Sequence, residues 1–288
     1  MKIGFLEYAC GGDILAASPI AKRLRELYPD ADITWICFDS FRDYIKNNQY
    51  VSSYIAWPLV PGYGRQQQEV QRWNEIKYYA YENFDKVVIP QYWPDHIADW
   101  GRDPKETLTD LMVEYAGIGP VEDRRIVYDC DPTDEIKANR FVADNELWDG
   151  NGKFICVAPN ANSVGKLLKA SDYNYLKKYL GNTKVVFFGT KNDEPLEFGI
   201  NGLGTSIGVM YALFKRSRGF IGLASAPAIM YTNLELPMVV LENPQTFDLH
   251  KIRLTTRGMR TKDITELIID PTDIEGLFEK IAKGVNLV

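Results

Sequence analysis

Asp13 is the acid best placed for chemistry in this sequence. It follows a small-residue loop, Ala9-Cys10-Gly11-Gly12, which ends an apolar run over residues 3–8. A helical pattern comes next, then Pro29, then a second apolar run over 33–38. That order reads as a strand, a crossover helix and a parallel strand. It leaves one carboxylate at the carboxyl end of the first strand, the end at which open α/β sheets bind ligands. A carboxylate there can take a proton from a substrate hydroxyl. It can equally serve the helix start, whose free N–H groups favour negative charge. The residues alone leave both roles open. Other polar groups fall at the ends of later apolar runs: Trp93, Asp95 and His96, then Thr190 and Lys191, then Glu242.

The elements that must hold these groups alternate. In the opening helix Ala17, Ile20 or Ala21, Leu24 and Leu27 recur at helical spacing, with Lys22, Arg23, Arg25 and Glu26 opposite. Pro19 limits where this helix begins. Either Ser18 is its N-cap with Pro19 at the first position, or it starts near Asp13 and tolerates the proline in an early turn. Further strands are expected at 51–59 and 85–91, and helices at 66–83 and 105–115. A charge-rich stretch over 121–139 leads into a helix and reads as an interdomain connection. A second alternation follows: strands at 154–158, 184–188, 219–223 and 237–242, helices at 171–180 and 206–215 and through Met230, and a closing helix over 272–288. This is an α/β chain with mostly parallel sheets in two Rossmann-like halves. The boundaries read as 1–130, a linker helix over 131–150, and 151–288.

Composition narrows the class. The chain has 288 residues, enough for two ordinary domains, and 45% hydrophobic with 25% charged residues is a globular balance rather than a disordered one. A net charge of -6 argues against a surface coated in basic groups. No apolar run is long enough to span a bilayer, and Glu7 interrupts the first one, which makes a poor secretory leader. The expectation is a cytoplasmic protein with four reduced thiols, Cys10, Cys37, Cys130 and Cys156, none in a C-x-x-C pair. Two histidines and no Cys/His cluster speak against a protein-built metal site. Neither Gly11-Gly12 nor the 199–204 run makes G-x-G-x-x-G after a strand, so a dinucleotide oxidoreductase is not supported.

Two stretches carry a family resemblance. The first is Gly12-Asp13-Ile14-Leu15-Ala16-Ala17-Ser18-Pro19, with Leu24, Tyr28-Pro29-Asp30-Ala31 and Ile33-Thr34-Trp35. The second runs from Tyr211-Ala212-Leu213 through Gly219-Phe220-Ile221 to Ser225, Pro227 and Pro237. Together they resemble glycosyltransferase family 9, the ADP-heptose:lipopolysaccharide heptosyltransferases. The resemblance implies a GT-B fold, two Rossmann-like domains facing a cleft, with acceptor bound by the first and nucleotide-sugar by the second. It implies an inverting, metal-independent transferase that needs no cofactor, with Asp13 as base and Gly12, Trp93 and His96 on the acceptor side. It places Lys166 in a phosphate-contacting loop with Asn162 and Ser163, and puts Thr190, Ser225, Ala226 and Glu242 around the donor. Where the family has Asp-Ser/Thr-Gly and a His three residues on, this chain has Ala224, Ser225, Ala226 and Ile229. The backbone N–H groups at the following helix start could still hold a diphosphate.

The family acceptor is lipopolysaccharide core. The rewritten donor motif and the basic cluster Lys251, Arg253, Arg257, Arg260 and Lys262 also admit a modified base in phage DNA, against which the acidic net charge weighs. A non-catalytic nucleotide- or sugar-binding protein is the rival class.

Overall fold

In the computed structural model, the described residues are 1–8, 10–58, 65–91, 108–147, 154–160, 168–242, 244 and 264–287. They form two units that divide between Tyr128 and Asp129. The first holds a four-stranded parallel sheet of β1 (Lys2–Leu6), β2 (Asp32–Phe38), β3 (Ser53–Trp57) and β4 (Lys86–Val88), in the order β3-β2-β1-β4. Helix α1 (Gly11–Leu27) joins β1 to β2, and α2 (Arg65–Asn83) precedes β4. Alternate residues in and just past β1 show what covers one face. Tyr8 stacks on Trp73 of α2 at 5.0 Å and meets Phe38 edge-on. Gly4 lies so close to Phe84 that a Cβ would sit 2.9 Å from its ring. Next along the chain, α3 (Leu108–Ala116) packs on α1.

Helix α1 begins at Gly11, not at Pro19, so the reading of Ser18 as N-cap is corrected. The cap is Cys10, and Asp13 lies in the first turn. Pro19 is tolerated in the interior for a local reason. It lacks the N–H that would reach Leu15 O, and the Ser18 hydroxyl donates to that carbonyl instead, at 2.6 Å.

The second unit begins with α4 (Pro132–Asp144), capped by Asp131, whose side chain accepts from Asp134 N. Expected as part of a linker, this helix packs against the helix over Ile207–Phe214 of the second unit. The sheet has six parallel strands in the order β7-β6-β5-β8-β9-β10. They are β5 (Ile155–Ala158), β6 (Val185–Phe187), β7 (Ile200–Asn201), β8 (Gly219–Leu223), β9 (Met238–Glu242) and β10 (Thr265–Ile268). Helices α5 (Lys177–Leu180), α6 (Ile207–Phe214), α7 (Ala226–Thr232) and α8 (Ile274–Gly284) complete it. The expected helix at 171–180 is mostly a 3-10 turn, Ala170–Leu176. Strands β7 and β10 were not expected.

Both faces of this sheet are covered, which is why its strands read as unbroken apolar runs. On one side Ile155, Val157, Ile221, Leu223, Val239 and Leu241 pack with Tyr173, Phe278 and Ile281. On the other, Phe220 stacks on Tyr231 of α7 at 5.0 Å and meets Phe214 of α6 edge-on. Among the described residues no helix is long and apolar enough to cross a membrane.

Candidate active site

Sheet order locates the ligand ends. In the first unit the chain runs from β1 outward to β2 and β3, then returns to pair β4 on the free side of β1. The connections thus diverge at the carboxyl ends of β1 and β4, a topological switch point. The β1–α1 loop with Cys10, Gly11, Gly12 and Asp13 lies on one side of it, and Gln91 follows β4 on the other. Gln91 is buried and its Oε1 accepts the Tyr8 N–H at 3.1 Å across the divide. Its Nε2 is buried and makes no hydrogen bond among the described residues. Gly11 is required by a close approach, because a Cβ there would stand 2.5 Å from the Tyr44 ring. Asp13 and Gly12 are half-buried.

Beside this loop lies a second acid that the sequence reading used only against a leader peptide. Glu7 is fully buried just past β1, and its carbonyl accepts from Trp35 Nε1 at 2.9 Å. Its neighbour on β2 registers the charge: burial, then Asp39 and Glu7, push the Cys37 thiol up to about 12. A glutamate inside an apolar strand was the available signal. Taking a carboxylate out of water is costly unless its surroundings compensate.

In the second unit the chain runs from β5 outward to β6 and β7, then returns to place β8 on the free side of β5. Here the switch point lies between the ends of β5 and β8. Ala158 pairs with Gly222, and a Cβ on Gly222 would meet the Ala158 carbonyl at 2.9 Å. Pro159 and Asn160 leave β5 at this point, and Ala224 and Ser225 leave β8. Ser225 is the N-cap of α7 with Pro227 in its first turn. Its hydroxyl makes no cap bond and donates to Leu223 O at 3.0 Å. Ala226 opens the helix, half-buried.

The remaining donor-side candidates lie along the same carboxyl edge. Glu242 ends β9, next to β8, and its carbonyl accepts from Ile269 N at 2.9 Å. Thr190 follows β6 and is committed to a turn. Its N–H and hydroxyl both donate to Asp193 Oδ2, at 2.7 and 2.9 Å. Lys191 lies over Gly204, where φ is +71°. Thr190, Ser225, Ala226 and Glu242 are therefore brought to one edge of one sheet. Asn162, Ser163, Lys166, Trp93, Asp95 and His96, and the basic cluster over 251–262, lie outside the described residues.

Two parallel α/β units in one chain, each with a switch point at its first strand, have the architecture of the GT-B class, and solved structures of that class match it. A glycosyltransferase family 9 structure from Veillonella parvula covers 100% of this chain and 93% of its own, with a TM-score of 0.69 at 16% identity. The E. coli ADP-heptose lipopolysaccharide heptosyltransferase II covers 99% of each chain with a TM-score of 0.60 at 14% identity. E. coli heptosyltransferase WaaC, solved with ADP, covers all of both chains with a TM-score of 0.59 at 10% identity. At these identities the likeness is one of fold, and at that level the resemblance read from the two stretches is borne out. No protein-family model and no curated protein matches the sequence.

Proposed function

We propose that this chain is a heptosyltransferase-like glycosyltransferase. The second unit takes a nucleotide-sugar, and Asp13 of the first takes the proton of an acceptor hydroxyl. The observation that carries the reading is the half-buried carboxylate in the first turn of α1, at a switch point of a fold shared over its whole length with family 9 structures. In the inverting step the acceptor oxygen attacks the anomeric carbon as its proton passes to the Asp13 carboxylate. The bond to the diphosphate oxygen breaks on the opposite side, and the nucleoside diphosphate leaves with the electron pair. The start of α7 is the expected seat of the diphosphate, where Ser225 and Ala226 open a helix and backbone N–H groups favour an anion. Lys166, with Asn162 and Ser163, would add a point charge and polar contacts to phosphate. Thr190 and Glu242 would border the nucleotide, while Gly12, Trp93 and His96 would meet an acceptor of the lipopolysaccharide-core class. The step as written asks for no metal or cofactor.

The test is release of ADP from ADP-heptose in the presence of a lipopolysaccharide-core acceptor. Asp13→Asn is expected to lower turnover by about 10²–10⁴-fold, the usual share of general base catalysis, with an unchanged melting curve. Turnover by Asp13→Asn equal to wild type would remove Asp13 from the mechanism.

Ala224 and Ile229, standing where the family carries Asp and His, favour a second reading: a protein that binds nucleotide and does not turn it over. It predicts a raised melting temperature with ADP and no release of ADP from the donor.

A further inference from the structure

Segment 121–128 closes the first unit, and it is fastened to the helix that carries Asp13. Its own Val121, Ile126 and Tyr128 side chains are buried. The Ser18 hydroxyl, only 3% exposed as a residue, makes two bonds at once: it donates to Leu15 O at 2.6 Å and accepts the Val127 N–H at 2.8 Å. One turn along the same face of α1, Lys22 Nζ meets Asp123 Oδ2 at 2.9 Å. Asp123 is in turn held by the backbone and side chain of Arg125, at 3.2 and 2.8 Å, and Arg124 reaches Asp110 of α3 at 2.6 Å. The strap therefore joins α1, α3 and the last residues before the chain enters the second unit.

Its place on α1 matters because of Pro19. The proline removes one rung of the helix between the turn bearing Asp13 and the rest, and prolines inside helices are where helices bend. Segment 11–18 lies on the Asp13 side of that missing rung, packed in the core, and the buried Ser18 hydroxyl bonds it both to its own preceding turn and to the strap. We propose that Ser18 is a positioning residue for Asp13, holding the first turns of α1 against the 121–128 strap. The inference rests on the reading of Asp13 as the base, and its effect on turnover passes through that carboxylate alone.

A double-mutant cycle tests this, with ADP release from ADP-heptose and a core acceptor as readout. Expected are a loss of turnover of at least about tenfold for Ser18→Ala in the wild-type background and no further loss when it is added to Asp13→Asn. Loss by the same factor in both backgrounds would mean general damage to the fold and would overturn the proposal. So would an inactive Asp13→Asn beside a fully active Ser18→Ala. Full turnover by Asp13→Asn would instead remove the base itself, so the two failures are told apart.

Adding Pro19→Ala to Ser18→Ala gives Leu15 O a backbone partner again but leaves Val127 N–H without one. Continued loss in that variant supports the strap, and recovery assigns Ser18 to helix repair and overturns it. Should Ser18→Ala not fold, Lys22→Met opens the strap one turn away without disturbing a buried group. It is expected to show a smaller loss, again absent in the Asp13→Asn background, and equal loss in both backgrounds would again overturn the proposal.

Discussion

Replacing Glu135 by glutamine should weaken the second unit, by an amount that depends on pH. Glu135 stands at the start of α4 and ties it to the end of α6. Lys215 Nζ reaches Oε1 at 2.5 Å, and Arg216 Nη2 reaches Oε2 at 2.6 Å. The Cys130 thiol also donates to Oε1, at 3.1 Å. Burial pushes this carboxyl up, but the bonds from Lys215, Cys130 and Arg216 outweigh it and hold Glu135 at about 2.

A covered charge-assisted bond contributes about 1.5–3 kcal/mol. With the Glu135 side chain 29% exposed, screening brings the two cation contacts together to about 2 kcal/mol. Glutamine keeps one acceptor oxygen but turns an NH₂ toward a cation, so most of that is lost, about 6 °C in the melting temperature of a unit this size. The folded carboxyl titrates below its unfolded value of 4.5, so its stabilisation is complete above that value and is lost as pH falls toward 2. Thermal melts by circular dichroism should therefore separate wild type and Glu135→Gln fully at neutral pH. The gap should narrow steadily from about pH 5 to about pH 3.5. A gap that does not change with pH, or none at neutral pH, would refute the assignment of both cations to this carboxylate.

Other positions make sharp tests. Cys37 and Cys156 are fully buried, with thiols raised by burial, and should react with a disulfide reagent only on unfolding, while Cys10 and Cys130 are open to it in the native state. Cys130, raised to about 11 chiefly by burial, should be slow, and more than two thiols labelled without denaturant would count against the fold. Gly222→Ala puts a methyl against the Ala158 carbonyl and the Phe220 ring, and should cost about 1–3 kcal/mol in denaturant unfolding. It should also weaken ADP binding, because it spreads β5 from β8 at the switch point; unchanged ADP affinity would separate that point from the donor site. Gln91→Leu strips the Tyr8 N–H of its acceptor and should cost about 1–3 kcal/mol. An unchanged unfolding midpoint would show that bond to be dispensable.

Much of this fold was legible because parallel strands buried on both faces announce themselves as apolar runs. Strand β8 falls at 219–223, as expected, and Ser206 caps α6 by accepting from Val209 N. What escaped notice has a local cause in each case. Strand β7 is two residues long, too short to show any pattern. Strand β10, Thr-Glu-Leu-Ile, is a half-exposed edge strand whose polar residues break the run. Pro19 left the helix start open between Ser18 and the region of Asp13, and the second reading is the one found; only the tertiary partner Val127 and the back-bond to Leu15 reveal why a helix can pass through it. Asp13 was visible from its place after strand and glycines. Gln91 and Glu7 were not singled out, because their significance depends on which strand pairs with which, and β4 returning beside β1 is a property of the whole sheet.

The strand order also sets a schedule for synthesis. The central strands, β1 and β5, are made first in their units, yet each is paired on both sides only when β4 or β8 arrives. Until then Ile155, Cys156, Val157 and Ala158, all buried in the finished sheet, lie along an open edge that another chain could join. A chain stopped short of Gly219 would keep that edge for good. Such truncations should gather as aggregates rather than as smaller folded units, whereas a chain ending just after β4 and its following helix has already paired β1 on both sides.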